Sequence, residues 1–412
     1  MAKQILIAGL DIGSNQVCCV AGARDEDARL VKILGASSIS CGDGIKAGAV
    51  INIQEASRAI ERAFEDAEKA AGAQASYVVA ALRGAFIEAR DSKGVANINH
   101  ANREITEETV ANALDSAKKI IKLDSDHVIL QIAPREFILN QQKGIQNPIG
   151  MEGTFIEVDV HALVASASNI ANISKAMEHA GIRCDDKVYG YLAESELLVT
   201  KEEKELGCLV VDFGGLTTGL VHYADGIIRH TNEIQVGSDY ITRDIMHKLR
   251  ASSAVAKEVK ELYGAAFASK EFKNGEFEYR GADGRSARKY DRAKLLEIIQ
   301  PRIEQILFVI EETMKRSPTG KQFLSGGVIL TGGGVKLEGI HEAFEKYFGC
   351  SVRVGMPNPD KVVGPSEIVD DPAYTTAIGA VASTLSTSYN AYSPSSSGSG
   401  FFSKIFKWLN EF

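Results

Sequence analysis

Two short segments of the chain combine an aspartate with glycines and small polar residues. The first aspartate turn reads Asp11-Ile12-Gly13-Ser14-Asn15, and the second aspartate turn reads Asp212-Phe213-Gly214-Gly215-Leu216-Thr217-Thr218. A triphosphate needs backbone N–H donors that no side chain blocks, and its Mg²⁺ needs carboxylates, which commonly bind the ion through water. The two turns therefore predict nucleotide-binding residues, with Asp11 and Asp212 as the acids for Mg²⁺.

A third segment, the glycine loop, reads Leu330-Thr331-Gly332-Gly333-Gly334-Val335-Lys336. It follows an apolar stretch at 327–330 and precedes a predicted helix at 338–348. Glycines between a strand and a helix let the backbone approach a ligand closely and present a helix N-terminus to it. The loop is a candidate nucleotide contact through its three glycines and Lys336, although an ordinary tight turn explains it equally well. The chain contains no Walker A sequence, which disfavours a P-loop ATPase.

Each aspartate turn lies between two apolar segments that read as strands. The first pair is predicted at 4–10 and 17–22, and the second pair at 208–211 and 219–223. Because the second pair repeats the plan of the first, the sequence predicts a duplicated α/β unit in which each half offers one turn to a shared cleft. A chance pair of β-hairpins is the alternative for either turn alone.

Helical periodicity and end signals predict the other elements. Helices are expected at 53–71 with Asn52 as N-cap and Gly72 as stop, after Thr106, at 170–180, and at 293–314, where Pro301 marks a kink or a boundary. The charged segment 271–292 reads as an exposed hairpin or loop.

Composition narrows the functional classes. The chain has 412 residues, of which 45% are hydrophobic and 24% charged, so two or more globular domains are expected. Its formal net charge of -8 argues against nucleic acid as the main partner. The six cysteines form no C-x-x-C pair, so neither a zinc site nor a disulfide framework is indicated. No secretory signal or transmembrane stretch is found, and a cytosolic protein or one on the cytosolic membrane face is expected.

The last segment, residues 401–412, reads FFSKIFKWLNEF and is amphipathic as a helix. Its apolar residues share one arc of the helical wheel, and they are Phe401, Phe402, Ile405, Phe406, Trp408, Leu409 and Phe412. Lys404 and Lys407 lie at the boundary of that arc. A helix of this length is only ~18 Å long and cannot span a ~30 Å hydrocarbon core. The segment is therefore predicted to lie in the membrane interface, tethered by a Ser/Gly linker at 386–400; docking on its own domain is the alternative.

The order of these motifs resembles the two phosphate loops and the adenosine loop of the actin, Hsp70 and sugar-kinase ATPases. Residues 190–199 and 374–384 resemble the two connecting helices of that fold. The resemblance implies an α/β, actin-like ATPase fold with two duplicated domains around a nucleotide cleft.

Residues 76–181 resemble the FtsA family of bacterial cell-division proteins. Three pieces are similar to its inserted subdomain 1C and to the return into the first domain: ANREITEETVANALDSAKKI, ILQIAPREFILNQQKGIQNPIGMEG and VDVHALVASASNIANISKAMEHAGI. QVGSDYITRDI and AKEVKELYGAAF also resemble FtsA segments, which implies that Gly237, Ser238 and Lys260 line the adenosine side of the site. The second aspartate turn departs from the family pattern, since Leu216 replaces a glycine and Gly219 an aspartate, and this puts the strength of nucleotide binding in question.

The resemblance also implies a division of the chain. Subdomain 1A would comprise 1–84, 165–205 and 371–385; subdomain 1C, 85–164; subdomain 2A, 206–240 and 316–370; subdomain 2B, 241–315; the linker, 386–400; and the membrane helix, 401–412.

A function follows from the same resemblance. It implies an adaptor that binds ATP and Mg²⁺, polymerises, anchors FtsZ filaments to the cytoplasmic membrane at the division site, and recruits other divisome proteins. Arg302 would contact the C-terminal tail of FtsZ, or it would be an ordinary exposed arginine. Glu194 and Glu196 are weak candidates for a catalytic base, with a structural role as the alternative. ATP is therefore expected to act mainly as a conformational ligand. A pilus-assembly relative of FtsA and a small-molecule kinase of the same fold are the other readings.

Overall fold

The computed structural model describes residues 5–24, 30–98, 103–268, 272–316 and 324–385. The chain divides into two compact units. The first comprises Met1–Leu197, Pro357–Val369 and Thr376–Phe412, and the second comprises Leu198–Met356 and Asp370–Thr375. The predicted linker and membrane helix at 386–412 lie outside the described residues.

The strands, in chain order, are β1 (Ile5–Ile12), β2 (Gln16–Arg24), β3 (Val31–Ser40), β4 (Ile45–Lys46), β5 (Ala49–Val50), β6 (Tyr77–Leu82), β7 (Ile87–Asn97), β8 (His127–Leu139), β9 (Gln142–Ile145), β10 (Phe155–Ser166), β11 (Asp186–Tyr189), β12 (Cys208–Phe213), β13 (Thr218–Ala224), β14 (Ile227–Ile234), β15 (Glu276–Arg280), β16 (Ala287–Asp291), β17 (Val328–Thr331), β18 (Val352–Val354) and β19 (Val362–Val363). The helices are α1 (Ile53–Ala71), α2 (Glu107–Ile120), α3 (Ala167–His179), α4 (Gly190–Leu198), α5 (Lys201–Leu206), α6 (Ser238–Leu249), α7 (Ser253–Tyr263), α8 (Arg292–Lys315), α9 (Ile340–Phe348), α10 (Ser366–Val369) and α11 (Thr375–Ala382). None of the helices in the described ranges is both long and apolar enough to cross a bilayer.

The main sheets of the two units repeat one plan. The first has the order β11-β6-β1-β2-β3-β19, and the second has the order β14-β13-β12-β17-β18. In each, the strand that carries the aspartate pairs antiparallel with the strand after its turn and parallel with a strand on its other side. These aspartate strands are buried along almost their whole length, as expected of central strands with both faces covered. The duplicated α/β unit predicted from the sequence is confirmed.

Local end signals placed several helices correctly. Asn52 caps α1 by accepting hydrogen bonds from the backbone N–H groups of Gln54 and Glu55, and Gly72 ends it in the left-handed conformation at φ 67°. Helix α2 begins directly after Thr106, as predicted, and Thr106 is its N-cap. Helix α3 begins three residues earlier than predicted, because Ser166 serves as its N-cap.

Two expectations require correction. Of the two roles predicted for Pro301, a kink or a boundary, the boundary is wrong, because α8 continues through it from Arg292 to Lys315. The glycine loop does not lead straight into a helix at 338–348 either. It forms a 3-10 turn at Gly333–Lys336, and α9 begins only at Ile340 after Gly339 takes a left-handed conformation at φ 73°. The predicted hairpin before α8 is confirmed as β15 and β16.

The first unit also contains a second sheet, in the order β7-β10-β8-β9, with α2 packed on it. Helix and sheet approach each other closely at Gly94 of β7, where an added Cβ would overlap the carbonyl oxygen of Ala113 and lie 2.8 Å from the Cβ of Ala117. Beside it, the Ser92 hydroxyl donates to the Ala117 carbonyl at 2.9 Å. The absence of a side chain at Gly94 therefore sets the distance between helix and sheet.

We expect Gly94→Ala to destabilise the protein, because the methyl group must push α2 away from β7; overpacking of this kind costs about 1–3 kcal/mol. Thermal denaturation followed by circular dichroism measures the loss. Gly275→Ala is the matched control, since a Cβ there meets nothing within 4 Å and the backbone is ordinary. Equal melting temperatures for the two variants would contradict the packing argument.

Candidate functional site

The first aspartate turn connects β1 to β2 and is closed by a hydrogen bond from Gly13 N to Gln16 O at 3.1 Å. Cys41, which follows β3, supports the turn. Its backbone N–H donates to Asn15 O at 3.1 Å, and its thiol lies 3.2 Å from Ser14 O. The turn is thus anchored through its carbonyl oxygens.

The second aspartate turn has the same closure, from Gly214 N to Thr217 O at 3.1 Å. The first turn of α6 packs directly on it. Ser238 N donates to Gly214 O and Asp239 N donates to Gly215 O, both at 2.9 Å. These bonds satisfy two of the N–H groups that a helix start leaves without partners.

The three residues that the resemblance assigned to the adenosine side meet at this turn. A Cβ on Gly237 would overlap the carbonyl oxygen of Gly215, so the close approach of α6 requires a glycine there. Lys260 of α7 donates from Nζ to the Ser238 carbonyl at 3.3 Å. Burial lowers the pKa of the Lys260 ammonium. The structure therefore brings Gly237, Ser238 and Lys260 together beside the second turn.

The glycine loop lies next to the same turn. Strand β17 pairs Thr331 with Asp212, and Gly332 follows with φ 86°. An added Cβ on Gly332 would overlap Asp212 Oδ1, whereas one on Gly333 would meet nothing within 4 Å. Lys336, at the end of the loop, is paired with Asp371 at 2.7 Å. The Asp212 carboxylate thus lies in a cradle that only glycine permits, and this fits a carboxylate that holds a cation beside phosphates.

Asp11 lies in a different environment. Its carboxylate, only 2% exposed, accepts a hydrogen bond from Nη2 of Arg83, which is 15% exposed. Arg83 is not among the site residues predicted from the sequence. The signal that could have found it is its position just after β6, since β6 and β1 run parallel and the residues at their carboxyl ends lie close together. Asp11 therefore fits a metal site poorly, because a protein cation already occupies its carboxylate.

The departures from the family pattern leave the second turn unstrained. Leu216 does not have a left-handed backbone, so the loss of glycine at this position costs no conformational strain. Gly219 lies in β13 opposite Asp212 and takes part in the strand pairing. Leu216 and Gly219 are therefore compatible with the backbone of the second turn.

The two glutamates proposed as weak catalytic candidates differ in surroundings. Glu194 of α4 is 1% exposed, and its carboxylate accepts a hydrogen bond from Thr376 Oγ1 of α11 at 2.6 Å. Glu196 is partly buried, and its backbone carbonyl accepts from Lys361 Nζ at 3.0 Å. The geometry of Glu194 favours the structural alternative, in which it joins two helices.

Arg302 of α8 forms a two-pronged ion pair with Asp244 of α6, with Nε and Nη2 at 2.6 and 2.8 Å from the carboxylate oxygens. Its guanidinium also lies 5.7 Å from the ring centre of Tyr240 and contacts Gln305. This side chain is therefore held in one orientation and is about one-quarter exposed.

The predicted membrane residues at 401–412 lie outside the described part of the chain.

Comparisons with known proteins identify the family. The model for the cell division protein FtsA matches residues 209–379, and the model for the SHS2 domain inserted in FtsA matches residues 84–164. The cell division protein FtsA of Neisseria meningitidis is 31% identical over 414 residues, which cover 99% of this chain and 98% of that protein.

Solved structures agree on the fold. The PilM-PilN type IV pilus biogenesis complex contains a chain with a TM-score of 0.66 and 17% identity, covering 93% of this chain and 99% of that one. MreB5 of Spiroplasma citri bound to ADP has a TM-score of 0.54 and 12% identity, covering 92% of this chain and 95% of that one. This chain has the actin-like ATPase fold, and it belongs to the FtsA family of cell division proteins.

Proposed function

We propose that this chain binds ATP with Mg²⁺, polymerises, and anchors FtsZ filaments to the cytoplasmic membrane at the division site, where it recruits other divisome proteins. The observation that carries the proposal is the match to a cell division protein FtsA over nearly the whole of both chains. An actin-like fold with two phosphate-type turns supports the nucleotide part, and the sequence of residues 401–412 supports the membrane part.

In this proposal the nucleotide contacts the residues that surround the two turns and the glycine loop. These are Gly13, Ser14, Asn15, Gly214, Gly215, Thr217, Thr218, Gly237, Ser238, Lys260, Gly332, Gly333, Gly334 and Lys336. Bound Mg²⁺ would neutralise phosphate charge, with Asp212 as the carboxylate that holds it, mainly through water. Because Glu194 is bonded inside the protein, ATP serves mainly as a conformational and polymerisation ligand, with slow turnover.

We expect Asp212→Ala to weaken the binding of Mg·ATP by about tenfold or more, since the charged ligand of the metal is lost. Isothermal titration calorimetry in the presence of Mg²⁺ measures the affinity. Asp225→Ala is the matched control, because Asp225 is an exposed aspartate of the same unit, paired with Arg229. Equal affinity for both variants would remove Asp212 from the nucleotide site.

The membrane part rests on residues 401–412. As a helix they present an unbroken aromatic and aliphatic arc with lysines at its edge, which suits insertion at the level of the lipid headgroups. So short a helix binds weakly alone, whereas a filament that carries many such tails gains affinity through multivalency. Polymerisation and membrane binding therefore reinforce each other.

Deletion of residues 401–412, or Trp408→Glu, should release the protein from anionic liposomes in co-sedimentation, because each change removes or interrupts the apolar arc. Trp408→Phe keeps the arc apolar and should retain binding. The same assay is run with and without ATP, and with and without a peptide of the FtsZ C-terminal tail. It then tests membrane binding, the effect of the nucleotide and binding of the FtsZ peptide in one experiment. Unchanged sedimentation of the deletion variant would refute the tether.

The proposed binding of the FtsZ tail depends on helix α8. Arg302 presents a planar cation that is already oriented by Asp244 and Tyr240, and such a group recognises carboxylates of a short acidic peptide with little loss of side-chain freedom. Ile298 and Val309, which are only partly buried and lie four residues before and seven residues after Arg302 on α8, would contact the apolar side chains of the same peptide.

Arg302→Glu should weaken binding of an FtsZ C-terminal tail peptide by about tenfold or more, since it reverses the charge that meets the peptide. Fluorescence anisotropy measures the affinity. Arg288→Glu, at an exposed position of β16, controls for the change in net charge. Arg302→Met controls for repulsion between a new glutamate and Asp244 and should also bind weakly. Wild-type affinity in both Arg302 variants would exclude this residue from the interface.

A further inference from the structure

The two aspartates occupy equivalent positions but have different neighbours. In the first unit Asp11 pairs with Ala81 of β6, and in the second unit Asp212 pairs with Thr331 of β17. Two residues beyond these partners come Arg83 and Gly333. The duplicated plan therefore places an arginine in one unit where the other unit has a glycine.

Arg83 contacts both the aspartate and the glycine of the first aspartate turn. Its Nη2 donates to Asp11 Oδ2, which makes a buried ion pair. The same nitrogen would lie 2.9 Å from a Cβ added to Gly13, so the guanidinium packs directly against the glycine of the turn. A positive charge thus lies where the turn would meet a phosphate.

The backbone around Arg83 is fixed in place. A Cβ on Gly48, in the turn between β4 and β5, would overlap the carbonyl oxygen of Arg83. Gly84 has φ 139°, and a Cβ there would lie 2.5 Å from the Phe86 ring. Both glycines have backbone conformations that other residues rarely adopt. The position of Arg83 is therefore built into the fold.

In the second unit the equivalent position is a glycine, Gly333. Gly333 faces open space, and Gly332 leaves room beside Asp212 that any side chain would fill. This position therefore offers no side chain to Asp212, whereas the equivalent position of the first unit offers a guanidinium to Asp11.

We infer that Arg83 is the built-in counter-charge of the first aspartate turn. Arginine stays protonated in proteins, so it neutralises Asp11 permanently and allows this turn to receive nucleotide phosphate without a divalent cation at Asp11. Mg²⁺ is then held by Asp212 and not by Asp11. The inference rests on the proposed binding of ATP, and it revises the expectation from sequence that both aspartates hold the metal.

Arg83→Met tests the inference, because it removes the charge and keeps much of the side-chain volume. In EDTA its affinity for ATP should fall by about tenfold or more, since an uncompensated Asp11 repels phosphate. Addition of Mg²⁺ should recover part of this loss. Arg83→Lys should stay within about threefold of the wild type, as it keeps the charge. Asp11→Asn combined with Arg83→Met should recover most of the affinity, because neither charge remains.

A second readout uses Mg²⁺ alone, without nucleotide. The ion should raise the melting temperature of Arg83→Met, whose buried Asp11 carboxylate has lost its partner, by more than it raises that of the wild type or the double variant, in which Asp212 alone is expected to bind it. Wild-type affinity of Arg83→Met in EDTA, or a double variant no better than the single one, would overturn the inference. Failure of the wild type to bind ATP would instead contradict the proposed function, and the Mg²⁺ melting shift would still test the role of Arg83.

Discussion

A buried carboxylate at the end of each central strand is the constraint on which the rest of the site depends. Asp11 and Asp212 are each only 2% exposed, and a buried negative charge is unfavourable unless the protein or a ligand compensates it. The two units solve the same problem differently. The first provides a guanidinium from the residue just after the neighbouring parallel strand, and the second has a glycine beside the carboxylate, where any side chain would overlap it.

The parts of this architecture that depend on nearby residues could be predicted from the sequence. The aspartate turns, the cap of α1 at Asn52 and its end at Gly72 each follow from side chains within a few positions. The strand plan of the second unit could be predicted because it repeats that of the first. The start of α9 was misplaced because periodicity cannot distinguish a 3-10 turn and a left-handed glycine from the first turn of a helix.

The partners that decide the chemistry lie far apart in the chain and were beyond sequence reasoning. Asp11 and Arg83 are 72 residues apart, and Asp244 and Arg302 are 58 residues apart. Only strand register and helix packing bring these pairs together. The same holds for Glu194, whose bond to Thr376 spans 182 residues, and for the contact of Gly379 with the backbone of Ala193, which lets α11 pack closely on α4.

Helix α6 has a mechanical consequence for the second unit. Its first N–H groups are bonded to the carbonyl oxygens of the second aspartate turn, and Asp244, about 9 Å further along its axis, holds Arg302 of α8. A helix transmits displacement along its axis with little internal deformation. The turn and the Arg302 guanidinium are therefore attached to the start and the middle of one rigid helix, so a shift of the turn by a fraction of an ångström along the axis also displaces the cation.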